Sequence, residues 1–300
     1  MSEVKEIGNI EHRYEILGLI GDGGYGDLYA GRGREHGEKV AVKTQKPWRM
    51  GPRVHHQSDG EKLIDEGHLM RNLSGIEAIP ELIAAGTYKD DRCLVMEFIE
   101  GRQLRDVLAA KRPVRDPGTV ASIIGQLCET LWEVHRKELV HCDLKPENVM
   151  VEPDGRLRLI DMGRAVQIGR ETLDVHGTTG YAAPEQLEEN RDGLTEQADI
   201  FGLGCILLEM TVLRPPYGGP ERRVCRGYPV LPPDRIASIP QQFRDLALQM
   251  VQWDAADRPA DVREVFEHIR PYLPTLGSRR PQKPLSPDPT EYYRTHPARL

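Results

Sequence analysis

Short runs of alternating apolar and polar residues occupy the first third of the chain, and helical spacing takes over afterwards. Tyr14-Glu15-Ile16-Leu17 reads as a strand, Gly21 to Gly26 as a glycine turn, and Leu28-Tyr29-Ala30 as a second strand. Gly31 to Gly37 is a polar turn, and Lys39-Val40-Ala41-Val42-Lys43 is a third strand. Residues 47–60 read as an irregular insertion, and the adjacent His55 and His56, with no partner ligands nearby, read as loop. Glu61 to Leu73 is predicted to be a helix with Leu69, Met70 and Leu73 on one face. Strands follow around Leu82-Ile83 and Cys93-Leu94-Val95-Met96. Beyond Gly101 the spacing is helical: Leu104 to Ala110 is short, while Val120 to Arg136 carries apolar residues at 120, 123, 124, 127, 131 and 134. Helices resume from about Gln197 to Arg270. The pattern predicts an α+β fold of two lobes, strand-rich then helix-rich, with a seam near residue 100 and a cleft between them.

The ends read differently. Residues 1–11 are polar and predict a flexible lead-in. From Pro274 prolines recur and apolar periodicity stops, and Arg279, Arg280, Lys283, Arg294 and Arg299 outnumber Asp288 and Glu291. That predicts a disordered basic tail over 274–300, in which Pro281-Gln282-Lys283-Pro284 is a candidate docking strip. A net charge of -7 argues against a nucleic-acid partner. The five cysteines have no close pair, which suits a reducing compartment and offers no zinc spacing. The most apolar run, Ile200 to Leu213, is broken by Glu209 and is too short to cross a bilayer. With no signal-peptide pattern at the start, the expectation is a soluble cytoplasmic protein without a transmembrane segment, its oligomeric state left open.

Chemistry concentrates in three places. Gly21-Asp22-Gly23-Gly24-Tyr25-Gly26 matches G-x-G-x-x-G but joins two strands instead of opening a helix. Glycines at such a turn let backbone N–H groups approach phosphates. Lys43 ends an apolar strand and must face a polar space or find an anion; nucleotide phosphates are such an anion, and a glutamate on the next helix would hold the lysine ready. Glu66 is the preferred partner, with Glu61 and Asp65 as competitors. His141-Cys142-Asp143-Leu144-Lys145-Pro146-Glu147-Asn148 then sets an acid, a cation and an amide within six residues. Asp143 can accept a proton from a hydroxyl, Lys145 can neutralise a phosphoryl group in flight, and Asn148 offers a hard oxygen ligand. Val149-Met150-Val151, Pro153-Asp154-Gly155 and Leu157-Arg158-Leu159-Ile160 read as a hairpin that carries the chain back to Asp161.

In order and at this spacing, the glycine loop, Val40-Ala41-Val42-Lys43, His141 to Asn148, Asp161-Met162-Gly163 and Ala183-Pro184-Glu185 resemble a eukaryotic-like (Hanks-type) serine/threonine protein kinase. The likeness runs from about Tyr14 to Leu273. It implies a kinase fold: a small antiparallel-sheet lobe with one main helix over 12–99, and a larger, mainly helical lobe over 100–273. It implies that Gly21, Gly23 and Gly26 cover the phosphates of ATP. Lys43 would contact those phosphates and pair with Glu66. Leu28, Ala41 and Met150 would sandwich the adenine, Met96 would stand behind it, and the backbones of Glu97 and Ile99 would bond its edge. Asp143 would be the catalytic base, with Lys145 and Thr178 beside it. Asn148 and Asp161 would hold magnesium, with manganese as the alternative ion. Glu185 would pair with Arg258, and Asp199 would cap the catalytic loop. Protein serine and threonine hydroxyls would be the acceptors, and Thr172, Thr178, Thr179 and Ser286 are candidate autophosphorylation sites.

Two residues depart from the family pattern. Cys142 stands where many members carry an arginine that clamps a phosphate on the activation segment, so control through that clamp is not expected. Met162 replaces the usual phenylalanine, a tolerated apolar exchange or an altered switch. The function implied is an active kinase. A pseudokinase scaffold and a small-molecule phosphotransferase are the alternatives, the first disfavoured by Lys43, Asp143, Asn148 and Asp161, the second by Gly177-Thr178 through Tyr181 and Ala183-Pro184-Glu185.

Overall fold

The computed structural model describes residues 5–22, 26–45, 59–109, 112–170, 177–187, 193–214, 216–218 and 230–300. The chain divides into two compact units, Met1–Ile99 with Asp161–Gly163, and Glu100–Ile160 with Arg164–Leu300.

The first unit is built on one sheet. Its strands are β1 (Lys5–Asn9), β2 (Tyr14–Asp22), β3 (Gly26–Gly33), β4 (Lys39–Gln45), β5 (Leu82–Tyr88) and β6 (Asp91–Glu97), and helix α1 spans Asp59–Asn72. The spatial order is β1-β5-β6-β4-β3-β2, antiparallel except for the β1–β5 pair. Strand alternation sorts the side chains into two faces. Tyr29, Val40, Val42, Cys93 and Val95 pack with Ile7, Ile10, Tyr14, Ala84 and Tyr88 in one apolar cluster. The other face carries Leu28, Ala41, Lys43, Leu94 and Met96, held together by the pairs Leu28↔Lys43, Lys43↔Leu94 and Ala41↔Met96. Helix α1 buries Leu63 and Met70, Leu73 just after it is buried too, and Glu66 falls within the same buried stripe. Gly67 lets that stripe lie close to Leu94, whose Cδ2 would be 3.1 Å from an added Cβ.

The flexible lead-in predicted over 1–11 is corrected from Lys5 onward. Lys5–Asn9 pairs with β5, Ile7 and Ile10 enter the apolar cluster, and Asn9 caps the following turn by accepting from the Glu11 N–H (2.8 Å). Gly86 makes the approach of β1 feasible, because a Cβ there would overlap the carbonyl of Ile7. The irregular insertion predicted for 47–60 gives way to α1 at Asp59, while His55 and His56 lie outside the described residues.

The second unit is mainly helical. It comprises β7 (Arg102–Gln103), α2 (Leu104–Leu108), α3 (Pro117–His135), β8 (Leu139–Val140), β9 (Val149–Val151), β10 (Leu157–Leu159), β11 (Val166–Gln167), α4 (Glu196–Val212), α5 (Pro233–Ser238), α6 (Gln241–Met250), α7 (Val262–Ile269) and α8 (Thr290–Thr295). Asp116 starts α3 three residues before the predicted Val120 by accepting from the Thr119 N–H (2.7 Å), with Pro117 in the first turn. Helix α4 is buried on all sides, and Gly202 and Gly204 let it lie against Leu144 and Met250. No described helix is long and apolar enough to cross a membrane.

The disordered tail predicted over 274–300 is a second correction. Tyr292 and Tyr293 of α8 are buried, and Tyr293 reaches α3 where Gly125 leaves room, an added Cβ lying 2.9 Å from its hydroxyl oxygen. Asp288 is buried, accepts from the Thr290 N–H (3.1 Å) and hydroxyl (2.8 Å), and pairs with Arg280 (2.9 Å). Glu129 of α3 accepts from the Arg299 N–H (2.7 Å), and Gln126 donates to the Pro289 carbonyl (3.3 Å). The basic character is thus partly consumed in ion pairs, and a six-residue helix is too short to show periodicity.

Candidate active site

In the first unit the site begins with a buried cation. Register puts Lys43 between Leu28 and Leu94 on the face that α1 covers. Its Nζ donates to both oxygens of Glu66 (2.7 Å each) and to Asp161 Oδ1 (2.8 Å). Asp65, one of the two competitors, is exposed, and the side chain of Glu61 lies outside the described residues. Burial disfavours the ammonium, yet the carboxylates of Glu66 and Asp161 outweigh it and hold the lysine above its ordinary pKa. Burial likewise pushes the Glu66 carboxyl up while Lys43 pulls it back; with the lysine charged throughout, the site is an ion pair. Asp161 has a left-handed backbone (φ 68°) and accepts from the Gly163 N–H (3.2 Å). A side chain at 163 would crowd Glu66 Oε2 and Asp161 Oδ1, both 3.1 Å from an added Cβ, so glycine leaves the ion pair its space. Met162 is buried.

Around this pair, Ala41 and Met96 are buried, Leu28 and Glu97 are half-buried, and Ile99 ends the unit. Gly21 and Gly26 close the β2 and β3 ends of the glycine turn, and Gly23 lies outside the described residues. Gly26 is there for close approach, since a Cβ would overlap the Thr44 carbonyl oxygen on β4.

In the second unit the loop from His141 to Asn148 hangs on Asp199 of α4. Asp199 accepts from the N–H groups of His141 (2.8 Å) and Cys142 (2.9 Å) and bonds His135 Nε2 (3.0 Å). Burial would raise this carboxyl, but the bond to His135 and the backbone donors keep its pKa below the usual value. The anchor lets Cys142 hold a left-handed conformation (φ 64°), which turns the chain sharply into Asp143. The Cys142 side chain is buried, and burial, then Asp199, pushes its thiol well up, leaving it inert at neutral pH.

Asp143 collects donors. Its Oδ1 accepts from Thr178 Oγ1 (2.6 Å), and its Oδ2 from Lys145 Nζ (2.9 Å) and Asn148 Nδ2 (3.0 Å). Lys145 also donates to Thr178 Oγ1 (2.8 Å), and Asn148 to the Asp143 carbonyl (2.8 Å). Burial opposes ionisation, but Lys145 and Thr178 overcome it and hold the carboxyl below its ordinary pKa. With its amide nitrogen committed to Asp143, Asn148 has its amide oxygen as the end that could hold a hard cation. The β9–β10 hairpin, turning at Gly155 (φ 83°), returns the chain so that the Ile160 N–H donates to the Asn148 carbonyl (2.8 Å). Met150 lies on β9, half-buried.

The segment 177–187 is pinned at four points. Thr178 is held by Asp143 and Lys145, and Tyr181 by Arg105 and Glu209. Glu185 takes a two-point ion pair from Arg258 (2.6 and 2.9 Å). Gln186 donates to the Cys142 carbonyl (2.7 Å) while accepting from the Ala183 N–H (2.8 Å). Gln186, His135 and Arg105 were not singled out in the sequence. Each has a partner far along the chain, and none of the three was marked by a motif of recognisable spacing. Thr172 lies outside the described residues. Among the described residues no three His, Cys, Asp or Glu side chains gather as a metal site.

A sheet-based unit with a lysine–glutamate pair and a helical unit with an aspartate loop anchored on a central helix define a protein kinase. Residues 14–271 match the protein kinase domain model, and the chain belongs to that family. It is 30% identical to serine/threonine-protein kinase pkn2 of Myxococcus xanthus, over 87% of this chain and 32% of that one. It is 27% identical to serine/threonine-protein kinase PrkC of Bacillus subtilis (87% and 42%) and 28% identical to human serine/threonine-protein kinase DCLK3 (97% and 45%). The chain therefore spans less than half the length of each of these relatives.

Proposed function

We propose that this protein transfers the γ-phosphoryl group of ATP to serine and threonine hydroxyls of other proteins. The observation that carries the reading is the Asp143 carboxylate, kept ionised by Lys145 and Thr178 and ready to accept a hydroxyl proton. Lys43, positioned by Glu66, would bind the phosphates, with Gly21, Gly23 and Gly26 over them. Leu28, Ala41, Met96 and Met150 would enclose the adenine, and the backbones of Glu97 and Ile99 would meet its edge. Magnesium, or manganese, would be held by Asp161 and the amide oxygen of Asn148, where it would neutralise charge on the phosphates. Lys145 would offset charge on the phosphoryl group as it moves.

Complete acid, lysine and amide positions favour turnover over a pseudokinase. The pinned 177–187 segment, a platform for a peptide chain, favours protein over small-molecule acceptors. Because Cys142 is a buried neutral thiol, the reading includes activity that does not require an arginine-clamped phosphate on the activation segment. What segment 274–300 offers partners is Pro281-Gln282-Lys283-Pro284, where Gln282 and Lys283 are exposed. The deciding experiment incubates purified protein with labelled ATP, magnesium and a generic protein substrate, beside Asp143→Asn. Label on serine and threonine from the wild type alone is expected; equal labelling by both proteins sinks the assignment.

A further inference from the structure

An exposed serine of segment 274–300 shares a cavity with two arginines. The cavity, of about 640 Å³, lies within the second unit, and Arg102, Arg280, Ser286, Asp288, Glu291 and Glu100 contribute to its walls. Arg102 donates through Nη1 to the Ser286 carbonyl (2.9 Å), so its guanidinium stands against the backbone of that serine. Arg280 commits Nε to Asp288 (2.9 Å), and its two terminal nitrogens have no partner among the described residues. The Ser286 side chain is exposed, and its hydroxyl has no partner among the described residues either. The acidic walls are engaged elsewhere, Asp288 by Arg280 and Thr290, and Glu291 by Arg294. Glu100 is exposed to solvent, where its charge is screened. The place matters because this stretch props the β9–β10 hairpin. The Asp288 carbonyl oxygen would lie 2.3 Å from a Cβ added at Gly155, and Gln126 bonds the carbonyls of both Gly155 (3.1 Å) and Pro289 (3.3 Å).

We propose that Ser286 is a phosphorylation site whose phosphate is received by Arg102 and Arg280, locking residues 286–291 onto the hairpin. The inference rests on the protein-kinase reading above. In the transfer, the Ser286 hydroxyl oxygen bonds to the γ-phosphorus of ATP, and the bond from that phosphorus to the bridging oxygen breaks. ADP leaves, and the hydroxyl proton passes to an Asp143 carboxylate. Ser286 is tied to the same unit that carries its own Asp143, so the acting Asp143 belongs to a second copy of the chain. Once made, the phosphoserine carries nearly two negative charges and three acceptor oxygens. Those oxygens suit two-point donation from a guanidinium, and Arg280 has its terminal nitrogens to offer.

The test compares the full chain with the same chain carrying phosphate on Ser286 alone, introduced as phosphoserine during translation. The amides of Thr290 and Glu291 both donate to Asp288, and the phosphate is expected to slow their hydrogen exchange about tenfold, the value of one charge-assisted hydrogen bond. In Arg102→Ala the slowing should drop to about twofold or less. Arg280→Lys keeps a cation for Asp288 but not the fork, and an intermediate slowing is expected. Each variant is compared with its own unmodified form, so any loosening by the substitution itself cancels. Phosphorus NMR serves if Arg102→Ala frees the segment outright. The two arginines favour the dianion, so the phosphate should lose its second proton below the ordinary value of about 6 in the wild-type background and return to it in Arg102→Ala. An unshifted phosphate overturns the proposal, as does exchange that is unchanged or faster, or slowing that survives both substitutions. A second arm incubates wild type with ATP, magnesium, a generic protein substrate and the Asp143→Asn copy, and mass spectrometry is expected to find phosphate on Ser286 of that copy. A labelled generic substrate beside an unmodified Ser286 also overturns the proposal. No label on either would count against the proposed function, while exchange in the phosphoserine chain still decides whether Arg102 and Arg280 form the receptor.

Discussion

An aspartate whose carboxylate receives Lys145, Thr178 and Asn148 is an anion in a fixed orientation, and a hydroxyl proton needs such an acceptor. Asp143→Asn keeps the shape and removes the basicity. Its kcat should fall by about 10²–10⁴. ATP affinity, measured by nucleotide titration, should stay within a few-fold, and a matching loss of nucleotide binding would argue that Asp143 serves structure instead. Asp199 is a different case, because its charge holds the loop. Asp199→Asn should cost about 2–3 kcal/mol in denaturant midpoint, the worth of hydrogen bonds from His141 and Cys142 to a charged acceptor. Its folded pKa is depressed, so its contribution is complete above the unfolded carboxyl pKa and is lost as pH falls through the folded one. The gap between wild type and variant should therefore be constant from about pH 5 to 8 and narrow only below about pH 4. A gap that shrinks on the alkaline side would overturn that account. Lys43, Asp143, Asn148 and Asp161 were legible in the sequence because each sits in a short, ordered motif. Arg105 was not, since its partners stand 42, 76 and 104 residues away.

Strands of the first unit were visible as alternation because both of their faces are used, one by the apolar cluster and one by Lys43 and its neighbours. The turn between β2 and β3 was visible through its glycines, but the reason for Gly26 was not, because the overlapping atom belongs to β4. A methyl there meets the Thr44 carbonyl, a backbone atom that cannot swing away. Gly26→Ala should accordingly cost about 1–3 kcal/mol in the stability of the first unit, the range for overpacking. Gly37→Ala is the contrasting control. No atom stands within 4 Å of its added Cβ, and only its positive φ of 74° opposes the change. Urea melts that rank Gly37→Ala as the more damaging substitution would show that strand approach is not what selects glycine at 26. Short elements escaped the reading for a related reason. A five-residue strand and a six-residue helix offer too few positions for a period, and their burial is decided by Gly86 and Gly125 elsewhere in the chain.

At the scale of the whole molecule, the residues matched by the family model stop short of both ends that fold. Residues 14–271 contain every position assigned to nucleotide, metal and acceptor, while Ile7 and Ile10 lie before them and Tyr292 and Tyr293 after. Each of those buried side chains stabilises by roughly 1.5–3 kcal/mol relative to exposure. One pair completes the apolar cluster of the sheet unit, and the other covers α3 in the helical unit. A protein cut to residues 12–273 should keep nucleotide-dependent stabilisation, because Lys43, Glu66 and Asp161 are intact. Its own melting temperature should nevertheless fall by more than about 5 °C in differential scanning fluorimetry without nucleotide. Restoring 5–11 alone or 274–300 alone should each recover part of the loss, since the two ends stabilise different units. A trimmed protein that melts with the full chain would show that the flanking segments are passengers. Recovery of the entire loss by one end would show that the two units do not hold their stabilities separately.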